Sequence, residues 1–266
     1  MNNISDPGNS SFFIPFAKQP DKYALPRKFR LMLHSIPHPL CALAAEQLQE
    51  YLLTQQEWKH NFGLTADGTG PVIGKMFGVL VVQTPAGEVG YLCGFSGKLA
   101  GANLHTKFVP PVFDTLAEDG FLAPGMKELS RMSESIKMLQ TEQPDGFEAQ
   151  IKQLKTSRRN YSNALQRQLF DHYFCVNRQG EHKSVQAIFE TADYKNPPAG
   201  AAECATPKLL QYAFLNQLKP LAVAEFWWGQ SPKSDYWKHE HFYPCCKEKC
   251  EPILAHMLSG MEYEYL

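Results

Sequence analysis

The residues of this chain best suited to chemistry lie in its last quarter: Cys204, then His239, His241, Cys245, Cys246 and Cys250, the last five within twelve residues. Four of the seven cysteines and two of the nine histidines therefore stand where a metal ion could be held. Zinc takes thiolate and imidazole ligands in a tetrahedral set. Cys246 and Cys250 are close enough to share one turn at a helix start, though three residues separate them, or four if Cys245 pairs with Cys250, where two is the commonest spacing. The alternative is that the cysteines are reduced and serve as small apolar residues. That suits the isolated Cys41, Cys93 and Cys175 better than the cluster, which is interrupted by the polar run Lys247-Glu248-Lys249. An odd number of cysteines and no secretory leader argue against disulfides and for a reducing, cytoplasmic compartment.

A scaffold must bring Cys204 to the later cluster. With 266 residues, 44% of them hydrophobic and 20% charged, the chain has the composition of an ordinary globular protein, and we expect one α+β domain over 1–266. No run of eighteen apolar residues occurs, which excludes a helical membrane span. The net charge of −1 exerts no global pull on nucleic acid, so any RNA contact must come from a local patch. Residues 1–11, rich in Asn, Ser, Gly and Asp, read as a mobile terminus.

Periodicity supplies the elements. In 40–54, Leu40, Leu43, Ala44, Leu48, Tyr51 and Leu52 recur at helical spacing, and 63–74 is a glycine-rich loop. Strand composition in 75–82 and 89–95, with Pro85-Ala86-Gly87 between, predicts a hairpin. The stretch 96–113 is loop-rich and offers Asn103, His105 and Lys107 as contact residues. Next, Leu129, Met132, Ile136 and Leu139 form one helical stripe. Beyond Pro144-Asp145-Gly146, Phe147, Ile151, Leu154, Tyr161 and Leu165 form another, interrupted by Arg158. Two such stripes joined by a turn predict an antiparallel helical, coiled-coil-like hairpin over 126–176, which could also pair with a second copy. Its second arm carries Lys152, Lys155, Arg158, Arg159 and Arg167, the most basic stretch of the chain; it suits RNA phosphates, although such runs also serve simply as solvated faces.

A helix follows over 203–218, with Pro207 in its first turn and Pro220 ending it, and then a strand over 221–228. On that strand Trp227 and Trp228 point to opposite faces, so at most one is exposed. A polar loop over 229–239, the cysteine turn, and a helix over 251–258 complete the chain.

Several strings carry a resemblance. Pro197-Pro198-Ala199-Gly200-Ala201-Ala202-Glu203-Cys204-Ala205-Thr206-Pro207-Lys208, Ala224-Glu225-Phe226-Trp227-Trp228-Gly229 and His241-Phe242-Tyr243-Pro244 are similar to the N-terminal extension of long bacterial RNA pseudouridine synthases of the RluA type. Pro37-His38-Pro39-Leu40-Cys41, Gly74-Lys75-Met76-Phe77-Gly78 and Phe108-Val109-Pro110-Pro111 also resemble it. The resemblance implies an accessory domain that docks structured RNA, rRNA or tRNA, for a synthase core. The catalytic aspartate of that family sits in a motif close to His-Arg-Leu-Asp, which this chain lacks, so no isomerase activity is expected from it.

The order helix, strand, strand, helix headed by a cysteine, strand, helix headed by paired cysteines is also similar to the zinc-dependent cytidine deaminase fold. That likeness implies a mixed sheet flanked by helices, interrupted by the helical hairpin. It implies Cys204, Cys246 and Cys250 as zinc ligands, with His241 or His239 closing the tetrahedron. Deaminases place a proton-shuttling Glu two residues after the first ligand, where this chain has Thr206. Glu203 precedes the ligand and points elsewhere, and Glu225 could substitute only by facing the metal. A structural zinc site is therefore expected in preference to a zinc hydrolase acting on a base or nucleoside.

Overall fold

The computed structural model describes residues 12–16, 24–32, 35–66, 68–116, 121–192 and 196–265, so the expectation for 1–11 lies outside the described residues. Around it are built β1 (Ile14–Pro15), β2 (Phe29–Leu31), α1 (Pro39–Thr54), β3 (Lys75–Gln83) and β4 (Val89–Phe95). There follow α2 (Leu122–Glu142), α3 (Phe147–His172), β5 (Phe174–Val176), β6 (His182–Ser184) and α4 (Val185–Thr191). The last part holds α5 (Ala205–Leu215), β7 (Lys219–Trp228), β8 (Phe242–Tyr243), α6 (Lys247–Met257) and β9 (Tyr263–Tyr265).

The main sheet is mixed, in the order β1-β4-β3-β7-β2-β9, with β8 alongside β7. β4, β3 and β7 run antiparallel in turn, whereas β2 is parallel to both β7 and β9. Both faces are covered, and β3 shows how. Phe77, Val79 and Val81 enter the core under α1, while Leu80 and Val82 enter the core under α5 and α6. Strict alternation with both faces apolar is what a buried central strand requires.

Glycine sets how closely α5 approaches that second face. Gly78 on β3 stands opposite Gly94 on β4 and opposite Glu225 on β7. A Cβ at Gly78 would lie 2.8 Å from the Cβ of Ala205, the first residue of α5, and one at Gly94 would lie 3.1 Å from Leu209 Cγ. Two bare backbone positions in register thus let the start of α5 sit directly on the sheet, which fixes where Cys204 ends up.

The predicted hairpin, the helix over 40–54 and the strand over 221–228 appear nearly at their expected bounds. Pro220 does not end a helix. α5 stops at Leu215, Gln217 turns the chain with a φ of 58°, and Pro220 lies inside β7 at a register shift opposite Val82. A bulge is the place in a strand where a missing N–H leaves no ladder bond unmade. The other departures are the short helix α4, the start of α6 at Lys247 instead of 251, and the small strands β1, β2, β5, β6, β8 and β9, each two or three residues long. Residues 174–176, expected at the end of the helical pair, form β5 instead.

α2 and α3 pack against one another, with Gln143 and Gly146 in left-handed conformations reversing the chain between them. Gly125 lies against Leu165, and Arg158 Nε donates to Ser133 Oγ at 2.7 Å, two pairings that fix an antiparallel register. Leu129, Ile136, Ile151 and Leu165 are buried as the stripes predict, while Tyr161 is exposed. Arg158 interrupts its stripe because its guanidinium is needed by the opposing helix.

Candidate metal centre

Cys204 is the N-cap of α5 and Cys246 the N-cap of α6, both in extended backbone conformation. Cys250 stands one turn into α6, on the same face as Cys246. The Sγ atoms of Cys204, Cys246 and Cys250 all lie within 4.8 Å of one another, with Cys246 and Cys250 at 3.4 Å. Thiolates around a tetrahedral zinc, with Zn–S near 2.3 Å, stand about 3.8 Å apart. The three sulfurs are therefore near enough to hold a metal ion after shifts of about 1 Å or less. Cys250 is buried, Cys204 half-buried and Cys246 exposed, so the trio is reached from one side.

Two helix N-termini meet here, and their unpaired N–H groups favour negative charge. The Cys246 sulfur is the focus. Hydrogen bonds from the Cys204 and Cys250 thiols, helped by the N–H groups of Lys249 and Cys250, pull its pKa far below the ordinary thiol range. The Cys250 thiol is pushed up by its bond with Cys204, then by that with Cys246 and by burial, and the Cys204 thiol by its bond with Cys246 and by burial. The trio therefore favours a thiolate at Cys246, and its three sulfurs are of the chemical type that could hold a divalent cation.

Glu225 approaches from the sheet. It is buried, and its Oε1 accepts from the Thr206 N–H at 2.9 Å and from Thr206 Oγ1 at 2.8 Å. Thr206 Oγ1 in turn lies 3.3 Å from Cys245 Sγ, so with its own proton given to Glu225 it accepts from that thiol. Burial raises the pKa of both Glu225 and Cys245. Cys245 is thereby engaged with Thr206 and stands outside the trio. Glu203 turns away, as expected: it accepts from Tyr173 Oη at 3.2 Å.

The expected histidine ligand is the main correction. His241 lies outside the cluster, exposed, with its Nδ1 3.0 Å from the His239 carbonyl. His239 Nδ1 accepts from the Gly229 N–H at 3.1 Å, and its ring packs on Trp228 at 4.5 Å. The reason is backbone pairing. Trp227 N–H donates to the His241 carbonyl, and β8 then pairs with β7, which ties 239–241 to the end of that strand while the chain runs on to α6. The tryptophans divide as expected: Trp228 is in the core and Trp227 stacks on Trp237 at 5.2 Å.

One turn into α5 from Cys204, Lys208 is buried and donates to the carbonyls of Phe95 and Gly97 at 2.9 and 3.0 Å. Burial brings its pKa from 10.5 down to about 8, with Glu203 opposing the fall. The folded chain thus releases this proton before the unfolded chain does. Stability owed to Lys208 grows as the pH rises from 8 toward 10 and is lost as the pH falls through 8. Urea denaturation should show the stability of the wild type, relative to Lys208→Met, rising by about 2 kcal/mol over that interval. Taking the difference removes the titration of the thiols, and a flat difference would refute the burial argument.

The basic residues of α3 fall into two groups. Arg158 is bonded to Ser133, and Arg167 pairs with Glu190 at 3.3 Å. Lys152, Lys155 and Arg159 are exposed at i, i+3 and i+7, have no ion pair among the described residues, and line a groove with Ile151, Thr156 and Glu148. The loop residues turn inward instead. His105 Nε2 bonds the Leu99 carbonyl at 2.9 Å, Lys107 lies over the Tyr51 ring at 4.8 Å, and Asn103 is buried and bonded to Asp114. No described helix is long and apolar enough to cross a membrane.

Comparison of the chain with family models, with curated proteins and with solved structures finds no match.

Proposed function

We propose that this chain is an RNA-docking accessory domain, used with a pseudouridine synthase core of the RluA type and organised around a structural zinc. The observation that carries the docking reading is the groove on α3, where Lys152, Lys155 and Arg159 stand exposed and, among the described residues, unopposed by an ion pair. Three cations at this spacing match phosphates along a nucleic-acid backbone. The overall element order supports a deaminase-like frame: α1, β3, β4, then α5 headed by Cys204, β7, and α6 headed by Cys246, with α2 and α3 standing between β4 and α5. The zinc reading rests on the thiol trio, whose spacing is near that around a tetrahedral ion.

Fluorescence anisotropy with an rRNA stem-loop tests the docking. Replacing Lys152, Lys155 and Arg159 together by Gln is expected to weaken binding at low salt at least about tenfold. It should also flatten the slope of log affinity against log salt by about two to three. Unchanged affinity and slope would remove α3 from the RNA contact.

A second reading, a zinc hydrolase acting on a base or nucleoside, is favoured by one observation. The carboxylate of Glu225 is bonded to Thr206, two residues beyond Cys204, where the general acid/base of a deaminase stands. Against it, Oε1 of Glu225 is already occupied by two donors in a buried setting. Turnover of nucleosides by the zinc-loaded chain that disappears in Glu225→Gln would establish the hydrolase.

A further inference from the structure

A cavity of about 340 Å³ opens on the α1 side of the sheet, on the face opposite the thiol trio. It is formed where α1 ends, by the loop that follows it and by Trp228. That volume falls in the lower part of the range of small-ligand pockets, about 300–1,000 Å³. From these walls we infer that the cavity receives a nucleobase, either an unstacked base of an RNA strand or that of a free nucleotide. The RNA source rests on the docking role proposed above.

Trp58 and His60, both half-buried, provide the flat surfaces on which a base can stack. Two amides provide edges. Gln55 accepts from the Trp58 N–H and donates to the Trp58 carbonyl, at 3.2 and 3.1 Å. Asn61 accepts from the Gly63 N–H and donates to the Gly70 carbonyl, both at 2.9 Å. A side-chain amide has two donors and two acceptor sites, so each retains one of each kind. Paired donors and acceptors are what the hydrogen-bonding edge of a base requires, whereas an apolar ligand would leave them unmet. The bonds already made hold both amides in place, so binding costs little ordering.

His60 adds an acceptor. Its Nε2 lies 2.8 Å from the Ile73 carbonyl and must carry the proton there, while burial lowers its pKa and favours the neutral ring. Nδ1 is then an acceptor. Lys59 on the same wall is available to the phosphate of a nucleotide.

Amide and indole NMR of the full chain tests this, because only four tryptophans contribute indole signals. Uridine, cytidine, adenosine and guanosine 5′-monophosphates are titrated separately, with ribose 5-phosphate as the control. At least one nucleotide is expected to shift the Trp58 indole and the side-chain amides of Gln55 and Asn61, and the control is not. Thr69→Phe, on the exposed rim, should abolish the shifts without disturbing the core, and Trp58→Leu should weaken them. No shift with any nucleotide up to about 10 mM, equal shifts with ribose 5-phosphate, or full shifts in Thr69→Phe would overturn the assignment. A single-stranded RNA that binds roughly tenfold tighter than its mononucleotide, and loses that advantage in the α3 triple variant, identifies RNA as the source of the base. Equal affinity identifies a free nucleotide. Nucleotide shifts that persist in the α3 variant separate the fate of this pocket from that of the docking face.

Discussion

Purified protein is expected to carry about one zinc per chain, and Cys204→Ser, Cys246→Ser and Cys250→Ser each to lose it, with a fall in Tm of about 10 °C. The choice of serine makes the result interpretable. Cys204 and Cys246 occupy helix N-caps, where serine, among the best N-cap residues, can take over any bond the sulfur accepts from the first-turn N–H groups. In chelated, metal-free protein both substitutions should therefore leave stability unchanged or slightly raised. A loss of stability seen only with metal present then reports ligation. The fall corresponds to about 3–4 kcal/mol, less than zinc supplies to a small finger domain, because the two cores on either side of the sheet do not depend on the metal to form. Protein purified without metal, with the serine variants as stable as the wild type under all conditions, would leave three reduced thiols and no metal centre.

The second large effect is expected far from any sulfur. Gly78→Val should destabilise the fold by about 2–3 kcal/mol in urea denaturation and weaken metal binding at least about tenfold. A Cβ at residue 78 would meet the Cβ of Ala205 at 2.8 Å, an atom fixed to the backbone that cannot swing aside. The beginning of α5 must lift from the sheet, and it carries Cys204 with it. Glu225, in register with Gly78 and bonded to Thr206, would lose its partner in the same movement. Gly94→Ala is the control. Its new methyl would face Leu209 Cγ at 3.1 Å, a buried side chain that need give by only a few tenths of an ångström, so a cost of about 1 kcal/mol and near-normal metal content are expected. Equal effects at both positions would show that general packing, rather than the seat of α5, governs the site.

How far the sequence could be read follows from the range of the interactions involved. The helix of α1 and the paired helices α2 and α3 were legible because their apolar residues recur at the helical period, and the hairpin of β3 and β4 and the strand β7 because they are short, nearly continuous apolar runs. The short strands were not. Two or three residues show no periodicity, and β2 and β9 exist only because distant strands offer them a ladder. Of the candidate contacts, the loop residues His105 and Lys107 looked available from composition, yet both are engaged with the protein's own carbonyl and ring. The cavity beneath Trp58 left no trace in the chain beyond a glycine-rich loop.

The sequence by itself placed cysteines close to the start of two helices, although their exact starts, at Ala205 and Lys247, came only with the fold. It also determined that Cys246 and Cys250 would share a face, because four residues make about one helical turn. Only the tertiary structure decided that Cys204 joins them, 42 positions away from Cys246, because that requires two glycines in register to let α5 down onto the sheet beside α6. It likewise decided that His241 stays out, since pairing of β8 with β7 holds it to the strand end. Local spacing fixes which face a side chain takes on its own element. Which elements meet is settled by backbone approach and strand pairing between segments far apart in the chain.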